Sequence, residues 1–134
     1  MNAKILFVDD EQNVLDGLRR LLHPKYNVFT ALGGEDGLRV MASSGPFSVI
    51  IADMRMPKMN GIEFLTRAKQ VDPLAVLMML TGNADRETAQ DAVQKGKVFQ
   101  FLTKPCTEDR LIKAIESGIE MGILDRKLSQ INAA

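Results

Sequence analysis

The clearest structural signal in this chain is the stretch Ser48-Val49-Ile50-Ile51-Ala52-Asp53-Met54-Arg55-Met56-Pro57. Its first half is apolar without alternation, which is typical of a strand covered on both faces of a parallel sheet. Pro57 has no backbone N–H, and Asn60-Gly61 favours a turn, so the chain is expected to leave the sheet directly after Asp53. The stretch therefore predicts a buried strand that presents an aspartate at the edge of the sheet.

Four further apolar runs accompany this strand, and helical patterns separate them. The predicted strands are residues 5–8, 26–30, 49–52, 75–80 and 98–102, and the last helix begins at about Glu108. Five strands alternating with five helices predict an α/β fold with a mainly parallel sheet, because right-handed crossovers place helices on both faces. The helix at 85–95 has few apolar residues and is expected to shift easily.

Chemically reactive side chains stand at the carboxyl ends of the predicted strands. Asp9 and Asp10 follow the first strand, Asp53 the third, Thr81 the fourth and Lys104 the fifth. The carboxyl ends of parallel strands share one edge of the sheet, and ligands bind there where the strand order reverses. With the order 2-1-3-4-5, the first and third strands are neighbours, and the three carboxylates are predicted to face one another.

Three carboxylates in close contact repel, so either some stay protonated or a cation lies among them. Oxygen ligands without histidine or cysteine favour a hard ion, and Mg²⁺ suits a site that leaves room for water and phosphate oxygens. Lys104 adds a positive charge and Thr81 a hydroxyl donor. The pattern predicts a pocket that receives an anion, with one of its own aspartates as the nucleophile.

Composition excludes several classes of protein. The 134 residues predict one domain, and the 46% hydrophobic and 25% charged residues are ordinary for a globular protein. Seventeen basic residues balance seventeen acidic ones, so direct nucleic-acid binding is not expected. No run has the length of a secretion signal or a membrane span. Cys106 is the only cysteine, which excludes an internal disulfide and favours the cytoplasm.

Four motifs in register resemble the receiver domain of bacterial two-component response regulators. They are Phe7-Val8-Asp9-Asp10-Glu11, the run from Ile51 to Gly61, Leu80-Thr81-Gly82, and Phe101-Leu102-Thr103-Lys104-Pro105. The resemblance covers roughly residues 4–122 and keeps order and spacing throughout. It implies a flavodoxin-like (βα)5 fold, a doubly wound parallel sheet, with the receiver domain at residues 1–122.

The resemblance also implies the chemistry of the site. Asp53 would accept a phosphoryl group from a histidine kinase or a histidine phosphotransfer protein. Asp10 and Asp53 would bind Mg²⁺ directly, with the backbone carbonyl of Arg55 as a third ligand and Asp9 acting through water. The implied function is a phosphorylation-activated switch that relays a conformational change to an output domain or partner. It is not an enzyme beyond self-phosphorylation from a donor and slow self-dephosphorylation.

Further roles follow from the same resemblance. Lys104 would pair with the aspartate and then with the phosphate, and the peptide bond before Pro105 would be cis. Thr81 would move to bond a phosphoryl oxygen while the aromatic switch residue Phe101 turns inward. The face formed by the helix at 85–95, the fifth strand and the last helix would be read by partners. Gly96 departs from the family pattern by one position, so the loop into the fifth strand is expected to be rearranged.

The last helix carries a separate signal. Met121, Leu124, Leu128 and Ile131 step by three, four and three residues, which is a short heptad seam. Residues 123–134 are therefore interpreted either as a helical extension or as the start of a linker to an output domain. A homodimer through this helix, or through the face described above, is an open alternative to a helix that simply overruns its domain.

Two other classes of protein remain as alternatives. A haloacid-dehalogenase-like phosphatase also uses a nucleophilic aspartate with Mg²⁺, but places it after the first strand in an Asp-x-Asp arrangement, whereas this chain has Asp9-Asp10-Glu11 there. A phosphorylation-independent adaptor would keep the fold without the switch. A flavin or nucleotide site is disfavoured because no glycine-rich phosphate loop follows the first strand.

Overall fold

A computed structural model describes residues 2–133, and within them five strands alternate with five helices. The strands are β1 (Lys4–Asp9), β2 (Asn27–Leu32), β3 (Val49–Asp53), β4 (Val76–Thr81) and β5 (Gln100–Thr103). The helices are α1 (Gln12–Leu22), α2 (Gly34–Ser44), α3 (Gly61–Val71), α4 (Arg86–Gln94) and α5 (Glu108–Ala133). A single turn of 3-10 helix at Asn83–Asp85 precedes α4.

All five strands are parallel, in the order β2-β1-β3-β4-β5. The predicted flavodoxin-like, doubly wound α/β fold is therefore confirmed. β1 and β3 are neighbours in register, with Phe7 opposite Ile51 and Val8 opposite Ala52. The chain leaves β1 toward one side of the sheet and β3 toward the other, so their carboxyl ends form the crevice where ligands bind in such sheets.

The sheet separates two apolar layers, which explains why β3 lacks alternation. Ile50 and Ala52 pack in the layer that contains α3 and α4 residues, whereas Val49 and Ile51 pack in the layer that contains α1 and α5 residues. All four side chains are at most 1% exposed. Because both faces are covered, every position of this strand favours an apolar residue until Asp53.

A tight connection joins β3 to α3. Asn60 caps α3 by accepting a hydrogen bond from the N–H of Glu63, and the Glu63 side chain accepts one from the N–H of Asn60. The N–H of Gly61 donates to the carbonyl of Met54 at 2.9 Å. A Cβ at Gly61 would lie 2.5 Å from the carbonyl oxygen of Asp53 and 2.9 Å from the Cα of Met54. This position therefore needs glycine so that the loop can fold against the end of β3.

The start of β5 differs from the prediction. The sequence predicts a strand over residues 98–102, whereas β5 runs from Gln100 to Thr103. α4 ends at Gln94 and is followed by Gly96 with φ of 72°, and the N–H groups of Gly96 and Lys97 bond back to the carbonyls of Val93 and Ala92. The N–H of Val98 also points to the Ala92 carbonyl, at 3.4 Å. This Schellman-type end of α4 uses backbone groups that the predicted strand would need.

α5 is one continuous helix from Glu108 to Ala133. Its first half packs on the sheet through Leu111, Ala114 and Ile115. Leu124 and Leu128, in the predicted seam, are about half exposed. The division between residues 1–122 and 123–134 falls inside this helix and stays a prediction. No helix among residues 2–133 combines the length and apolar character needed to cross a lipid bilayer.

The close contact at Gly61 makes a direct test of this packing. We expect Gly61→Ala to lower the free energy of unfolding by about 1–3 kcal/mol, because the added Cβ meets backbone atoms that cannot move aside easily. Gly17→Ala is the matched control, because no atom lies within 4 Å of its added Cβ and it stands inside α1. That change should stabilise the protein by about 0.5–1 kcal/mol in urea denaturation. Equal effects at the two positions would contradict the packing described here.

Candidate functional site

Three aspartates meet at the carboxyl edge of the sheet, as the strand order predicts. Asp9 ends β1, Asp10 follows it, and Asp53 ends β3; one carboxylate oxygen from each lies within 4.8 Å of the others. Asp9 is 3% exposed and Asp53 8% exposed, whereas Asp10 is exposed. The cluster is therefore buried on the side of the sheet and open to solvent at Asp10.

Lys104 brings a positive charge to the two buried carboxylates. Its Nζ donates a hydrogen bond to Oδ1 of Asp53 at 2.8 Å and lies 4.0 Å from Oδ2 of Asp9. The backbone N–H of Lys104 donates to the carbonyl of Thr81 at 2.8 Å, and the peptide bond to Pro105 is cis. The loop after β5 is thus tied to the end of β4, and its ammonium reaches the end of β3.

The electrostatics of the site show an excess of negative charge. Burial raises the pKa of the Asp9 carboxyl; the N–H of Glu11, which donates to Asp9 at 2.9 Å, opposes that rise, and the charge of Asp53 adds to it. Burial alone would lower the pKa of Lys104, but its hydrogen bond and charge interaction with Asp53 outweigh that effect, so the pKa rises. Lys104 therefore stays charged, and one ammonium faces three carboxylates.

The donor set fits a small hard cation. The three side chains offer only carboxylate oxygens, which are the ligands that Mg²⁺ prefers. The exposed Asp10 lies on an open cavity of about 450 Å³, which Arg55 and Asp85 also line, so the cluster is open to water on its Asp10 side. The backbone carbonyl of Arg55 as a further ligand, and Asp9 acting through water, remain predictions.

Thr81 and Phe101 lie close to this edge but on the far side of β3. Thr81 ends β4 and is fully buried, and its hydroxyl donates to the carbonyl of Gly82 at 3.1 Å. Phe101 lies on β5, opposite Met79, and is only partly buried against the layer that includes α3 and α4 residues. In this arrangement the Thr81 hydroxyl bonds its own neighbour, and the switching roles of both residues stay predictions.

One pair of residues at the site was not found from the sequence. Nε of Arg55 donates to Oδ2 of Asp85 at 2.6 Å, and Nη2 donates to Oδ1 at 3.2 Å. This hydrogen bond lowers the pKa of Asp85. An acidic residue four positions after Thr81 is the only hint in the sequence, because the partner of a long arginine depends on the conformation of both loops.

Comparisons with known proteins agree with this geometry. Residues 5–116 match the response regulator receiver domain family. The hydrogenase transcriptional regulatory protein HoxA of Cupriavidus necator is 34% identical over 118 residues, which cover 88% of this chain and 24% of that protein. The transcriptional regulatory protein GlrR of Escherichia coli is 37% identical over 119 residues, which cover 88% of this chain and 26% of that protein. The chain therefore spans about a quarter of the length of these relatives.

Solved structures are similar over almost the whole chain. A crystal structure of adenylate cyclase from Rhodopirellula baltica superposes with a TM-score of 0.95 at 41% identity, covering 99% of this chain and 98% of that one. A response regulator receiver domain protein from Clostridium thermocellum superposes with a TM-score of 0.85 at 35% identity, covering 91% and 98% of the two chains. The sheet described above is thus shared with receiver domains.

The carboxylate cluster predicts a measurable affinity for Mg²⁺. We expect Mg²⁺ to raise the melting temperature of the native chain. Asp10→Asn should weaken Mg²⁺ binding by about 2 kcal/mol, on the order of 30-fold, because Mg²⁺ carries two charges and each unit charge pair at 4 Å contributes about 1 kcal/mol in water. Asp125→Asn, an exposed change on α5, serves as the control and should bind like the native chain. An unchanged Mg²⁺ titration of Asp10→Asn would argue against the site.

Proposed function

Because the chain belongs to the response regulator receiver domain family, we propose that it is a phosphorylation-activated signalling switch whose phosphoacceptor is Asp53. The observation that carries this proposal is the position of the Asp53 carboxylate. It ends a central strand beside Asp9 and Asp10, and Lys104 donates to it at 2.8 Å. No other carboxylate in the described residues combines an ammonium partner at hydrogen-bond distance with two neighbouring carboxylates.

The proposed reaction is a phosphoryl transfer to a carboxylate. A carboxylate oxygen of Asp53 attacks the phosphorus of a phosphohistidine on a histidine kinase or histidine phosphotransfer protein. The P–N bond breaks and an acyl phosphate forms. Mg²⁺, held by Asp10 and Asp53, by the Arg55 carbonyl and through water by Asp9, would neutralise charge on the transferred group. The Lys104 ammonium would then donate to a phosphoryl oxygen instead of the carboxylate oxygen, so the lysine keeps a negatively charged partner.

The switch follows from new acceptors at Asp53. Phosphorylation replaces the single negative charge of the Asp53 carboxylate with nearly two on the phosphoryl group, and it adds three acceptor oxygens. The Thr81 hydroxyl can then leave the Gly82 carbonyl for a phosphoryl oxygen, and Phe101 fills the space that Thr81 vacates. A complete change of population needs about 5 kcal/mol, and two or three charge-assisted hydrogen bonds at roughly 1.5–3 kcal/mol each are enough to supply it.

The segment after Thr81 is built to respond. Gly82 leads into the 3-10 turn and α4, and α4 buries only Ala89 and Ala92. A helix with so little buried surface shifts at low cost. We therefore assign the readout to the face formed by α4, β5 and α5, where a partner or output domain would distinguish the two states.

The remaining assignments concern the domain boundary, the cellular location and the assembly of the chain. The relatives named above are transcriptional regulators of which this chain matches about a quarter. We propose a receiver domain over residues 1–122, acting in the cytoplasm, and, over residues 123–134, either a helical extension or the start of a linker to an output domain. A homodimer would form either through α5 or through the face of α4, β5 and α5.

Phosphorylation is tested by intact-mass analysis with acetyl phosphate and Mg²⁺. The native chain is expected to gain the mass of one phosphoryl group, and only with the metal, because the carboxylate cluster needs a cation. Asp53→Asn should gain nothing, and the control Asp125→Asn should behave as the native chain does. Continuous hydrolysis of a generic phosphate ester would instead support a phosphatase, and no mass gain by the native chain would support an adaptor.

The switch is tested separately through Thr81. On phosphorylation, amide hydrogen exchange across residues 82–105 should change in the native chain. Thr81→Ala should still be phosphorylated, but its ratio of active to inactive molecules should be at least about tenfold lower than that of the native chain, since it loses one charge-assisted hydrogen bond of roughly 1.5–3 kcal/mol. Thr66→Ala, whose hydroxyl bonds only the Ile62 carbonyl within α3, is the control. A full exchange response in Thr81→Ala would refute the role of Thr81.

A further inference from the structure

A two-pronged ion pair connects the loop after β3 with the segment after β4. The Arg55 guanidinium contacts both oxygens of Asp85, at 2.6 Å and 3.2 Å, across 30 positions of sequence. The Asp85 side chain is only 16% exposed, although the arginine side chain is 74% exposed. Among the described residues it is the one ion pair that joins these two segments. Paired hydrogen bonds of this kind fix direction as well as distance.

The ion pair lies at the start of α4, a helix that buries only small side chains. Asp85 ends the 3-10 turn and directly precedes α4, whose buried residues are two alanines. Asp85 also accepts nothing from its own helix as a cap. Without the arginine, this start of α4 would be held mainly by backbone bonds such as that from the Asp85 N–H to the Gly82 carbonyl at 3.2 Å.

The arginine is also placed beside the phosphoacceptor. Arg55 stands two residues after Asp53, so their backbones are at most about 7 Å apart along the chain. Arg55 and Asp85 both line the 450 Å³ cavity on which Asp10 also lies. A guanidinium binds carboxylate and phosphate with the same fork of donors, so the two groups compete for it.

We propose that the Arg55–Asp85 ion pair is a latch of the unphosphorylated state, and that Arg55 exchanges Asp85 for the phosphoryl group when Asp53 is phosphorylated. This inference rests on the proposed function. The phosphoryl group carries more charge than the Asp85 carboxylate and therefore attracts the guanidinium more strongly. When Arg55 leaves Asp85, the start of α4 is freed at the moment when Thr81 moves. Arg55 thereby acts on the same segment as Thr81.

The latch is tested first without any phosphate analogue. Asp85→Asn and Arg55→Gln should each raise amide exchange in residues 82–88 by about two- to fivefold, which is the range for an exposed pair. Asp91→Asn is the matched control, because it breaks the Asp91–Lys95 ion pair within α4 and leaves the latch intact. It should leave exchange in residues 82–88 as in the native chain. Unchanged exchange in Asp85→Asn would overturn the latch.

The exchange of partners is tested with beryllium fluoride as the phosphate analogue, at constant Mg²⁺, by following the melting temperature. Asp85→Asn should bind the analogue more tightly than the native chain by the same two- to fivefold factor, because its arginine is already free. Arg55→Gln should bind more weakly than Asp85→Asn. Equal affinity of these two variants would overturn the transfer of Arg55. If the native chain does not bind the analogue at all, both the proposed function and the transfer of Arg55 to the phosphoryl group fail. The amide exchange measured without the analogue still decides whether the Arg55–Asp85 latch exists.

Discussion

Charge crowding at the ends of β1 and β3 is the constraint on which the rest of this structure depends. Two buried aspartates and an exposed one share a space of a few ångströms, and a single ammonium from the loop after β5 opposes them. Burial raises the pKa of Asp9, so the folded chain bears an electrostatic cost at this edge. A cation would relieve that cost, and under the proposed function a phosphoryl group that arrives with one would be held by charges already in place. The same crowding makes the site sensitive to any change in charge.

The rigid and the responsive parts of the molecule lie on different elements. β3 is buried on both faces, and Gly61 lets the loop between β3 and α3 pack directly against Asp53. α4, in contrast, is held by two alanines, by its Schellman-type end and by contacts of the preceding turn. Under the proposed function, the phosphoacceptor Asp53 stands on the tightly packed side, so little of the free energy of its modification would be lost in local rearrangement. That free energy would be available to α4.

Sequence alone predicts this site well because strand topology does most of the placing. Asp9, Asp53 and Lys104 each follow an apolar run, and a parallel sheet must bring such positions to one edge. The predicted start of β5 is wrong because the backbone hydrogen bonds at the end of α4, which depend on Gly96, compete with strand pairing.

The sequence does not predict the Arg55–Asp85 pair for another reason. Exposed arginines have many partners within reach, and only the conformations of both loops select one.

The uninterrupted course of α5 gives the molecule a lever. A helix of 26 residues is about 39 Å long at 1.5 Å per residue. It begins four positions after Lys104, whose ammonium donates to Asp53, and it contains no proline or break. A tilt of five degrees about its first turn would carry its far end by roughly 3 Å over this length. A small tilt at the sheet would thus displace the far end of α5 by a distance comparable to the width of a water molecule.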